Sequence, residues 1–93
     1  MEEIKIKEAL KKVIDPELGI DIVTLELIRD IGMNGDDVSI LMTLTSPMCP
    51  FADIIIQSIE NEIIFAGYEK PIIELTFDPP WQASEELRLL MGV

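Results

Sequence analysis

With 93 residues, the chain has room for one hydrophobic core and not for two, and at 48% hydrophobic and 27% charged it falls outside the disordered class. Eighteen acidic residues against seven basic ones leave a formal net charge of −11, which repels a phosphate backbone and excludes nucleic acid as an expected partner. No apolar run approaches the roughly 18 residues of a membrane span, and Met1-Glu2-Glu3 lacks the basic start of a secretory signal, so a single cytoplasmic domain with no membrane contact is expected.

Ile6, Ala9, Leu10, Val13 and Ile14 recur at spacings of three and four, with lysines and Glu8 between them, which predicts an amphipathic helix over residues 4–14. Asp15-Pro16 stops it, because proline biases the residue before it away from the helical conformation and has no N–H to donate. Lys5, Lys7, Lys11 and Lys12 gather here and read as a solvated helix face in preference to a docking patch. Residues 16–25 are expected to form a compact loop whose Leu18, Ile20, Ile22, Val23 and Leu25 pack down on the core.

A first strand over 27–33 alternates only weakly, but Asn34-Gly35 after it is a hairpin dipeptide whose residues both tolerate positive φ. Val38, Ile40, Met42 and Leu44 alternate with Ser39, Leu41, Thr43 and Thr45, giving a second, antiparallel strand. After Ser46-Pro47-Met48-Cys49-Pro50, the residues Ala52, Ile55, Ile56, Ile59, Ile63 and Ala66 mark a second helix that ends at Gly67, with Pro50 suited to its first position. Ile73, Leu75 and Phe77 alternate with Ile72, Glu74 and Thr76 in a third strand, and Leu87, Leu90 and Met91 suggest a short closing helix.

The order α-β-β-α-β-α predicts an α+β fold, a two-layer sandwich on a three-stranded mixed sheet with a right-handed βαβ crossover. That crossover leaves the second and third strands parallel. The loop carrying Cys49 and the loop Asp78-Pro79-Pro80-Trp81 therefore leave the sheet at the same edge, and the hairpin brings the loop 15–25 to it as well.

Cys49 is the one cysteine, so it forms no internal disulfide and leaves a free thiol to explain. It precedes Pro50 at the expected N-cap of the second helix, where unpaired N–H groups and the helix dipole favour a thiolate. Its plain alternative is a small buried hydrophobe. The chain has no histidine for a cysteine-histidine dyad and no second cysteine for dithiol exchange.

Structural zinc takes four ligands and an iron-sulfur cluster is usually held by four cysteines, so one chain supplies neither set. An ion or cluster would be shared between two subunits, completed by a partner or small thiol, or helped by Asp15, Glu17 or Asp78. Each neighbour also has an ordinary role open to it. Asp15 and Glu17 can begin a turn, Asp78 can cap one, and Trp81 can cover the sheet end. Thr43, Thr45 and Ser46 carry hydroxyls able to donate to a thiolate, but such residues are common in strands and loops.

Three stretches, Asp15-Pro16-Glu17-Leu18-Gly19 with Asp21-Ile22-Val23, Thr45-Ser46-Pro47-Met48-Cys49-Pro50, and Phe77-Asp78-Pro79-Pro80-Trp81, together resemble the small iron-sulfur cluster assembly domain of the PaaD-like and SufT-like proteins. The resemblance covers nearly the whole chain, residues 1–93. It implies a non-enzymatic α+β factor in the maturation of iron-sulfur proteins, with Cys49 as the functional residue and Asp15, Glu17, Thr45 and Asp78 framing it. The expected cofactor is an iron-sulfur cluster or iron, held transiently by Cys49. The expected partners are a cluster carrier, client iron-sulfur proteins and a second copy of the chain. A metal-free adaptor that docks clients, with Cys49 only packing its loop, is the competing expectation. One departure stands out: the family usually has Leu-Gly-Leu where this chain has Leu25-Glu26-Leu27, which should alter the approach to the first strand.

Overall fold

The computed structural model describes residues 2–46 and 48–92. Helix α1, Glu2–Leu10, buries Ile6, Ala9 and Leu10. It ends four residues earlier than the apolar spacing predicts. The Lys12 and Val13 N–H groups donate to the Ala9 and Leu10 carbonyls at 3.1 and 3.0 Å, three residues back, so the last turn tightens and the chain leaves the helix. Pro16 biases Asp15, the residue before it, towards extended backbone. Ile14–Asp15 becomes strand β1 and pairs antiparallel with β2, Ile20–Asp21, inside the segment expected to be loop. Val13 stays buried, but Ile14 is half exposed and does not join the core.

Two aspartate-capped turns shape the segment that follows. The Asp15 carboxylate accepts from the Glu17 and Leu18 N–H groups at 2.8 and 3.3 Å, and Asp21 accepts from the Val23 and Thr24 N–H groups at 3.0 and 2.9 Å. These turns aim Ile22, Leu25 and Leu27 into the core, with Leu18, Ile20 and Val23 packed against it, as their apolar character predicts.

Strand β3, Ile28–Asn34, forms a hairpin with β4, Asp37–Met42. Asn34 pairs with Asp37, so the two-residue turn is Gly35-Asp36 and Gly35 alone of the pair has positive φ (66°). The glycine of the dipeptide makes the turn, while Asn34 belongs to the strand. Val38, Ile40 and Met42 are buried, whereas Ser39 on the opposite face is exposed. Strand β4 stops at Met42, and Leu44 and Thr45 lie beyond it.

Helix α2, Ala52–Phe65, buries Ile55, Ile59 and Ile63 at the spacing that predicted it, and packs beside α1. Gly67, in the left-handed region at φ 103°, turns the chain back. Strand β5, Ile72–Leu75, runs parallel to β4, pairing Ser39 with Ile72 and Met42 with Leu75. Phe77 falls outside it. Helix α3, Glu85–Met91, is capped by Ser84, whose hydroxyl accepts from the Leu87 N–H at 3.2 Å, and it inserts Leu87 into the core. The main sheet has the order β3-β4-β5, and one apolar cluster joins it to the helices.

Candidate functional site at one sheet edge

Ile28 pairs with Met42, and Met42 with Leu75, so these residues stand in one row at one end of the sheet. The Thr43 N–H donates to the Leu27 carbonyl and the Thr76 N–H to the Met42 carbonyl, both at 2.8 Å, which carries the row beyond the strands. The chain therefore enters β3, leaves β4 and leaves β5 at the same edge. The segment after β4 carries Thr45, Ser46 and Cys49, and the segment after β5 carries Asp78 and Trp81. The paired turns that begin at Asp15 lead into β3. Two of these segments are stapled together, because the Trp81 indole N–H donates to the Leu25 carbonyl at 2.7 Å.

Cys49 is half-buried, packs against the core, and donates its N–H to the Ser46 carbonyl at 3.2 Å. The Ser46 hydroxyl accepts from the Met48 N–H at 3.1 Å. This serine-centred turn delays the helix. Its first bond runs from the Ile55 N–H to the Phe51 carbonyl, and Phe51, not Cys49, is the N-cap. The expectation of Cys49 at the N-cap and Pro50 at the first helical position is thus corrected. Cys49 stands two residues before the cap, outside the first turn where helix N–H groups and the dipole act, so the helical support expected for a thiolate has no geometric basis. Pro47 of the same motif lies outside the described residues.

Asp15 is 1% exposed and its carboxylate is engaged by its own turn. Thr45 is half-buried, and Glu17, Ser46 and Asp78 are exposed. The Asp78 N–H donates to the Thr76 hydroxyl at 3.3 Å. Thr43 is fully buried with its hydroxyl directed at the Leu44 carbonyl, not at Cys49. Among the described residues no three histidine, cysteine, aspartate or glutamate side chains gather closely enough to hold a metal ion. The edge thus brings the segments together without bringing Asp15, Glu17 or Asp78 into a ligand set around the thiol.

A cleft of about 400 Å³ opens between the start of β3 and the loop after β5, lined by Glu26, Arg29, Pro79, Pro80, Trp81 and Gln82. The register of β3 slips between Ile28 and Asp30, so Arg29 is the extra residue of a β-bulge. Nothing in the sequence reading singled out Arg29. The available signal was the weak alternation of the first strand, which is what a bulge does to a period of two. Glu26, in the position where the resemblance expects glycine, has φ 62° and is the one residue other than glycine in the left-handed region among those described.

The sequence model of a family described as iron-sulfur cluster assembly protein matches residues 3–69. The Fe-S protein maturation auxiliary factor YitW of Bacillus subtilis is 37% identical over 93 residues, covering 95% of this chain and 91% of its own. An iron-sulfur cluster carrier protein of Synechocystis is 37% identical over 84 residues, which are 89% of this chain and 24% of the carrier. A conserved hypothetical protein of Thermotoga maritima has a solved structure similar to this one, with a TM-score of 0.83 and 44% identity over 98% of this chain and 94% of that one.

Proposed function

The chain belongs to the iron-sulfur cluster assembly protein family, and from that membership we propose that it is a maturation factor that helps pass iron-sulfur clusters to client proteins through Cys49. The likeness to a maturation auxiliary factor over nearly the full length of both chains carries this reading. The cluster is cargo rather than a resident group, and the factor catalyses no covalent turnover of its own. A thiolate is the natural ligand for iron in such a cluster, and Cys49 is the one thiol available. The remaining ligands come from a second copy of the chain, a cluster carrier, the client or a small thiol. Thr45, Ser46, Asp78 and Trp81 shape the approach, while Asp15 and Glu17 hold the turn beside it. The 1–93 segment works as one unit in the cytoplasm, where reducing conditions keep Cys49 a thiol.

Anaerobic reconstitution with iron and sulfide tests this. Wild-type protein gains iron-sulfur absorbance together with dimer formation or dependence on added thiol, and Cys49→Ser loses it while keeping its fold, since one substitution in a half-buried loop costs about 1 kcal/mol or less. Equal iron and sulfide binding by the two proteins rejects the ligand role. One observation favours the metal-free adaptor instead: Cys49 packs against the core and stands apart from the first turn of α2. Full support of client maturation in cells by Cys49→Ser would select the adaptor.

A further inference from the structure

The cleft beside the bulge is lined by Arg29, which has no ion-pair partner among the described residues. Arg29 is half-buried, and its Nη1 is buried with no hydrogen-bond partner. An N–H of a charged group taken out of water and left unpaired destabilises the fold. Glu26 lines the same cleft, yet neither residue takes part in an ion pair among the described residues. The bulge turns Arg29 out of the regular alternation of β3. The facing wall is fixed, because the Trp81 indole is bonded to the Leu25 carbonyl one residue before Glu26.

We propose that this cleft receives a carboxylate side chain of a client polypeptide, held by the Arg29 guanidinium. A guanidinium offers a planar fork of donors that a carboxylate matches with two parallel bonds. The prolines and the indole supply an apolar wall for the residues flanking that carboxylate, which favours a polypeptide over a small free acid. The cleft opens at the sheet edge from which the Cys49 segment leaves, so a client held there lies on the side of the fold where the cargo is handed over. The identity of the partner as a client rests on the function proposed above; the carboxylate site itself does not.

The test uses a blocked tripeptide with a central glutamate between two leucines, its glutamine counterpart, and free glutarate. Each is titrated at moderate salt into the 93-residue chain while the indole N–H resonance of Trp81, the one tryptophan, is followed. The glutamate peptide should give a saturable shift, with the glutamine peptide weaker by about tenfold or more. Arg29→Gln should remove that difference, and Arg29→Lys, which keeps charge but loses the fork, should fall between. Amide dispersion reports whether each variant is folded, and Arg29→Lys serves if Arg29→Gln is not. Equal binding of the two peptides, no saturation by the glutamate peptide in the millimolar range, or unchanged affinity in a folded Arg29 variant overturns the proposal. Glutarate binding as tightly as the peptide overturns its polypeptide part and leaves a site for small carboxylates. None of these readings depends on iron or sulfide, so failure here is distinguishable from failure of the Cys49 role.

Discussion

Glu26 carries a conformational cost that its neighbours do not. A side chain in the left-handed region clashes with its own backbone by roughly 1–2 kcal/mol, and Glu26 sits there at φ 62°. Glycine at this position removes the clash but loses about 0.5–1 kcal/mol through its greater freedom in the unfolded chain. The expected net effect of Glu26→Gly is stabilisation of up to about 1.5 kcal/mol, read as a higher urea midpoint at unchanged slope. A lower midpoint would mean that the glutamate side chain contributes to the native state more than the backbone strain removes. The same backbone geometry accounts for glycine being usual here in the family: the turn that feeds β3 needs a left-handed residue, whichever side chain occupies it. Asp15 shows the converse, since its carboxylate, read from sequence as a site-framing group, is buried and bonded to the two N–H groups of its own turn.

Among the elements, the staple between the loop after β5 and the turn before β3 decides how rigid the candidate site is. One hydrogen bond at 2.7 Å, from the Trp81 indole to the Leu25 carbonyl, joins segments 56 residues apart in the chain. Trp81→Phe keeps most of the apolar ring and deletes the donor, leaving the carbonyl without this partner at a cost of about 1–2 kcal/mol. Because the segment after Pro80 contributes little beyond Leu87 to the buried core, the loss should appear mainly as local opening. Amide hydrogen exchange should therefore accelerate around residues 25–28 and 81–84, with α2 unchanged. Equal acceleration in α2 would show that the staple supports the whole core and not only the edge.

At the scale of the molecule, charge and size act together. The Cα radius of gyration is 13.0 Å, and a net charge of −11 is confined within that volume. At ~10 mM salt the Debye length of about 30 Å exceeds the molecule's radius, so the carboxylates repel one another across the whole fold; at ~150 mM it is about 8 Å and most of that repulsion is screened. Raising sodium chloride over this range should therefore stabilise the native state. For a domain of this size a gain of about 1 kcal/mol appears as a rise in Tm of about 4–8 °C. A flat or falling Tm would indicate that the few lysine-centred pairs, such as Lys11 with Glu8 at 3.4 Å, outweigh the general repulsion.

Period and punctuation in the sequence determined the three helices, the hairpin, the parallel third strand and the edge at which three segments meet. These follow from apolar spacing, from glycine and proline, and from the geometry of a βαβ unit, all of which are local or topological. The family likeness was equally legible, because its motifs are short runs around Asp15, Cys49 and Asp78. Tertiary structure alone decided the rest. Val13 and Ile14 have helical spacing, yet pairing with β2 draws Ile14 into a strand, since backbone bonds across a hairpin replace those of a last helical turn. Cys49 reads as an N-cap because Pro50 favours a first helical position, but the Ser46 turn postpones the helix to Ala52. Arg29 lines a cleft because it sits at a bulge and a loop some 50 residues later forms the opposite wall, and no pattern within one strand encodes the meeting of two such distant segments.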